Sequence, residues 1–133
     1  KDLIYLTNSL GRSVTWPRGC AYDGKSLWFI EHDRAEERFG LHSINLKESR
    51  IDRSFPLRDA GIIALAWDGA RFWVSGPKSH LYIIDPEKTA PDGSLEAVGS
   101  IFAGGYDSLA FGNGFLWGLD KSRKRICRIK CSE

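Results

Sequence analysis

Methionine is absent from all 133 positions, the first included. That absence predicts a processed product, an excised domain or a trimmed chain. Cysteine is sparse: Cys20, Cys127 and Cys131 make an odd set and no disulfide framework. Cys127 and Cys131 lie in an alternating segment, and if it is extended their Cα atoms stand about 13 Å apart. A bridge tolerates no more than about 7 Å. All three are expected to be structural thiols, since a free cysteine behaves as a small buried hydrophobe. Long apolar runs are missing too. No stretch approaches the ~20 residues of a bilayer-crossing helix, so no membrane span is expected, and no charged-then-apolar leader opens the chain. Charge of one sign is also lacking. A formal net charge of +2 is too small to imply a polyanionic partner, so no nucleic acid is expected. The basic stretch "KSRKRICRIK" (121–130) reads as a solvated strand edge. No GxSxG, P-loop, HExxH or CxxC signature occurs.

What is present is an ordinary globular composition, 42% hydrophobic and 27% charged, in a chain long enough for one real core. Within it a segment recurs: "CAYDGKSLWFI" (20–30), "LAWDGARFWVS" (65–75) and "LAFGNGFLWGL" (109–119). Trp28, Trp73 and Trp117 are spaced by 45 and then 44 residues. Ala21, Ala66 and Ala110 match, as do the aromatics Tyr22, Trp67 and Phe111. Asp23-Gly24 and Asp68-Gly69 match Asn113-Gly114, the third pair one residue out of register.

Each copy predicts a β-hairpin, because an Asp-Gly or Asn-Gly pair between short apolar runs is a strong hairpin signal. The recurring Asp is therefore conformational, and the recurring Trp is a core anchor. A third strand follows at Leu41–Ile44, Leu81–Ile84 and Ile126–Ile129, and a fourth at 50–57 and 95–102. Four antiparallel strands in about 45 residues is one blade of a β-propeller. The third copy ends without its fourth strand, while a strand-like "LIYLTNSL" (3–10) precedes the first. The expected organisation is a displaced outer strand in 1–15 and blades over 16–57, 58–103 and 104–133. The fold class is all-β, with three propeller blades per chain. Three blades are fewer than the four to eight that close a ring. Either two chains join head to tail into six blades, or the chain is a piece of a longer propeller. The head-to-tail homodimer is the expectation adopted here.

"ALAWDGARFWVS…LYIIDP" (64–86) resembles a blade of the six-bladed propellers related to glutamine cyclotransferases and the SMP-30, NHL and YVTN-type repeat proteins. The first copy departs with "LHSINL" (41–46). The third has "ICRIKC" (126–131) and lacks the turn Asp. Some members of that superfamily are metal-dependent lactonases, some are cyclases and many only bind. No catalytic set carries over onto these positions, since every matched residue builds the blade.

Chemistry is expected at the channel rim, in the loops entering each first strand and leaving each second strand. These are 16–19, 58–63 and 103–107, with 31–40, 76–80 and 120–125. Glu31, His32 and Asp33 set two carboxylates beside an imidazole, donors suited to a divalent cation or to acid–base work. Arg18, His80, Tyr106, Asp107 and Asp120 complete the candidates. Asp107, Asp120 and Glu31 form the one trio able to ring a channel. The function expected is a binding or assembly module recognising a protein, peptide or sugar at this rim. The alternative is a metal-assisted hydrolase or cyclase with a divalent cation at the channel mouth.

Overall fold

Eleven strands in three antiparallel sheets make up the computed structural model, which describes residues 6, 14, 17–34, 37–58, 63–76 and 80–130. The first sheet holds β1 (Pro17–Tyr22), β2 (Leu27–Asp33), β3 (Arg38–Asn45) and β4 (Arg50–Leu57) in sequence order. The second repeats that order with β5 (Ala64–Trp67), β6 (Phe72–Ser75), β7 (His80–Ile84) and β8 (Gly99–Phe102). The third has β9 (Ser108–Gly112), β10 (Phe115–Asp120) and β11 (Arg125–Ile129), with β11 at its edge. No helix occurs among the described residues. The strand expected over 3–10 lies, but for Leu6, outside the described residues, as do 59–62, 77–79 and Cys131.

Strand alternation decides how the sheets stack. Leu65, Phe72, Val74 and Ile84 of the second sheet face the first and meet Trp28, Ile30 and Leu41. Ala64, Ala66, Trp73, Leu81 and Ile83 face the third and meet Leu109, Leu116 and Ile129. The middle sheet is thus buried on both sides, which accounts for its near-continuous apolar strands. First strands lie innermost: β1 packs on β5, and β5 on β9. Gly19 makes the first of these approaches possible. It sits at a β-bulge with φ 52°, and a Cβ there would stand 3.0 Å from the Leu65 nitrogen.

Alanine opposes tryptophan in every hairpin: Ala21 with Trp28, Ala66 with Trp73, Ala110 with Trp117. The turns are of two kinds. Asn113-Gly114 is a two-residue turn with both φ positive (52° and 79°), between paired Gly112 and Phe115. The other two are four-residue loops, closed by the pairs Tyr22–Leu27 and Trp67–Phe72.

Three further expectations are corrected. Residues 17–19 and 31–33 are strand rather than loop, being the paired ends of β1 and β2. Only 99–102 of the expected strand 95–102 pairs with β7. Leu95 instead bridges to Leu57 and its N–H donates to the Pro56 carbonyl at 2.8 Å, tying the second sheet's outer segment to the first sheet. Cys20 is exposed and Cys127 half-buried, so Cys20 is no core residue.

Candidate functional site

The recurring Asp proves to hold both the turn and the tryptophan. Asp23 Oδ1 accepts the N–H groups of Lys25 (2.8 Å) and Ser26 (2.7 Å), while Oδ2 accepts the Trp28 indole N–H at 2.8 Å. Asp68 does the same for Ala70 (2.8 Å), Arg71 (2.7 Å) and Trp73 (2.8 Å). Burial would raise both carboxyl pKa values, but these donors outweigh it and hold them below the ordinary range. In the third hairpin Gly112 stands where the Asp would be, and its carbonyl accepts the Trp117 indole at 3.0 Å. These carboxylates are spent on structure.

Glu31 is likewise committed. Consecutive strand residues point to opposite faces, so Glu31, His32 and Asp33 cannot converge on one ion. Glu31 Oε1 lies 2.9 Å from His42 Nε2, and His42 Nδ1 lies 2.7 Å from Ser54 Oγ. Burial lowers the His42 pKa, with the hydrogen bond and charge of Glu31 acting the other way. A neutral imidazole satisfies both neighbours, donating from Nε2 to Glu31 and accepting the Ser54 hydroxyl at Nδ1. Serine, imidazole and carboxylate in line resemble a hydrolytic relay, but none of the three lines either cavity described below. Sequence reasoning passed over His42 and Ser54. Their signal was the register, since Phe29, His42 and Ser54 are direct cross-strand partners.

Two cavities open at the entering ends of the inner strands, and Asp107 borders both. The first, about 570 Å³ and between the second and third sheets, is lined by Ser75, Tyr106, Asp107, Asp120, Lys121 and Ser122 among others. The second, about 450 Å³, lies among the starts of β1, β5 and β9 and is lined by Arg18, Cys20, Phe29, Leu65, Asp107 and Leu109 among others. Asp107 Oδ2 accepts the Lys121 N–H at 2.7 Å. Burial would raise the Asp120 pKa, but the Ser122 hydroxyl (3.0 Å), the Arg123 N–H (3.2 Å) and the Arg125 and Arg123 guanidiniums together lower it. Tyr106 is anchored, its hydroxyl donating to the Ala103 carbonyl at 2.6 Å and its N–H to Ser75 Oγ at 3.1 Å. Burial raises its phenol pKa, and the Cys127 thiol adds to the effect.

Arg18 and Asp107 therefore share one cavity, and Tyr106, Asp107 and Asp120 the other. Glu31, His32, Asp33 and His80 line neither. His32 stacks on Phe39 (centroids 4.3 Å apart), and Asp33 ends β2 opposite Arg38. His80 packs between Tyr82 and Phe102. The trio expected around the channel loses Glu31 to His42. Among the described residues, no three His, Cys, Asp or Glu side chains are grouped as a metal ion needs.

No protein-family model matches the chain, and no curated protein matches it in sequence. Solved structures do. Glutaminyl cyclase of Myxococcus xanthus superposes with a TM-score of 0.60 at 16% identity, over 80% of this chain and 43% of that one. Hydrazine synthase of Kuenenia stuttgartiensis superposes with a TM-score of 0.54 at 11% identity, over 96% of this chain and 61% of that one. The chain thus spans less than two thirds of the length of either structure. With three stacked antiparallel sheets, these likenesses show an all-β fold of propeller type, its sheets arranged as blades.

Proposed function

We propose that the chain is a propeller binding module that recognises a ligand at the channel rim and completes its ring with a second copy, head to tail. The observation carrying the rim site is Asp107, common to both cavities at the entering ends of the inner strands. Rigid strands there present loop residues around an open space, the arrangement in which propellers and similar scaffolds bind. A thermal-shift screen of small molecules on the wild type and on Asp107→Asn tests it. Stabilising compounds whose effect disappears in the variant support the reading; shifts indifferent to Asp107 overturn it.

Support for the second copy comes from the tryptophans. Trp28 and Trp73 are 2% and 1% exposed, each covered by the sheet that follows it. Leu116 faces the second sheet, so neighbouring Trp117 faces away from it, on the same side as Leu119 and Ile126, which are 44% and 70% exposed. An apolar sheet face of this kind calls for a covering sheet. Placing a charge there, as Ile126→Asp, should halve the particle mass seen by light scattering. Unchanged mass would refute this interface.

A second reading is favoured by the likeness to a glutaminyl cyclase and by two carboxylates, Asp107 and Asp120, in one cavity. It is a cyclase or a metal-assisted hydrolase of the superfamily that the second hairpin resembles. Cyclisation of a glutaminyl peptide, or Ca²⁺ or Zn²⁺ retained on purification together with a metal-induced melting shift, supports it. Neither result, with no hydrolysis of lactones, eliminates it.

A further inference from the structure

We infer that the 450 Å³ cavity binds a small molecule carrying a carboxylate together with an amine or amide N–H, an inference that rests on the rim-site reading. Arg18 is one half of the observation. Its Nε is buried and has no hydrogen-bond partner among the described residues, although the side chain borders this cavity. A buried donor without a partner is costly, and more so on a charged group. The bulge at Gly19, immediately after Arg18, breaks the regular pairing of β1 with β2 where Arg18 faces the cavity. Bulges commonly re-aim a side chain in this way. A guanidinium with an unused donor is built for a carboxylate, which it meets in a planar fork.

Asp107 is the other half. It borders the same space; Oδ2 is taken by the Lys121 N–H, and Oδ1, with no hydrogen-bond partner among the described residues, is left for a donor on the ligand. A simple anion would be repelled by Asp107, and a simple cation by Arg18. A molecule bearing both groups answers both walls. Phe29, Ala64, Leu65 and Leu109 supply apolar lining for the body between them. The volume lies within the range of small-molecule sites.

The test is calorimetric titration of the full chain with three probes: the dipeptide alanylleucine, hexanoate and hexylamine. The dipeptide should bind at least about tenfold more tightly than either singly charged probe, each tenfold being a fixed increment of free energy. Arg18→Gln and Asp107→Asn should each weaken it by about tenfold or more, with far-UV circular dichroism unchanged. If Arg18→Gln does not fold, Arg18→Lys serves, because it retains the charge and loses the fork. Equal binding of hexanoate and dipeptide, or undiminished binding to the Arg18 variant, overturns the inference. Absent dipeptide binding, alongside an Asp107-dependent shift with a neutral disaccharide, also overturns it while leaving the rim-site reading intact.

Discussion

Replacing Asp68 with alanine isolates the contact that joins turn to core. The substitution removes acceptors for three N–H groups: Ala70 at 2.8 Å, Arg71 at 2.7 Å and the Trp73 indole at 2.8 Å. Trp73 is 1% exposed, so water has little access to its orphaned N–H. Leaving a buried donor unsatisfied costs about 1–3 kcal/mol. The two turn N–H groups are nearer the surface and can turn to water, adding about 1 kcal/mol. The expected loss is about 2–4 kcal/mol, a large part of the stability of a domain this size. Asp68→Asn keeps one carbonyl oxygen and should fall between wild type and alanine. Urea unfolding followed by tryptophan fluorescence, at one protein concentration throughout, reads the series directly. The Asp68 pKa is lowered in the folded state. Its contribution is therefore full above the unfolded carboxyl pKa and is lost as pH falls through the folded one. The acid limb of the stability curve should be shallower in Asp68→Asn. An alanine variant within about 0.5 kcal/mol of wild type, the range of neutral surface changes, would refute the reasoning.

Other outcomes follow from the same geometry. Gly118→Ala would set a Cβ 2.5 Å from the Tyr106 ring and should cost about 1–3 kcal/mol by overpacking, visible as a lowered Tm and relieved by Tyr106→Leu. Leu95→Ala removes a buried side chain from the core between the first two sheets, for a loss of about 2–5 kcal/mol by denaturant unfolding. Burial lowers the folded His42 pKa; wild-type stability should decline as pH drops below the unfolded value of about 6.5. NMR titration of His42 in the folded chain should then find it neutral at pH 7. Arg58 pairs with Asp92 and Glu96 at the surface, and Arg58→Ala should change stability by less than about 1 kcal/mol.

The hairpins were legible because their determinants are local. An Asp-Gly or Asn-Gly pair, an alanine before it and a tryptophan after it are readable without knowing what lies across the sheet. Even so, the turn length escaped, since four-residue loops with Asp bonded to tryptophan share their dipeptide with two-residue turns. Which side chains meet at the rim depends on register between distant strands, and that is long-range information. Arg18 and Asp107 are 89 positions apart and share a cavity. Glu31 points to the face opposite its neighbour His32 and pairs with His42. Adjacency misled because a strand separates its neighbours. The Leu95 crossing to the first sheet was equally hidden, for an apolar run looks the same whether it pairs within its own sheet or with the next.

The mass of the folded chain in solution tests the proposed ring most directly, by sedimentation or light scattering at micromolar concentration. Two copies of 14.9 kDa moving as one particle, dissociated by Ile126→Asp, is the result expected. A stable, folded particle of one chain, with Leu119 and Ile126 open to solvent, would contradict it.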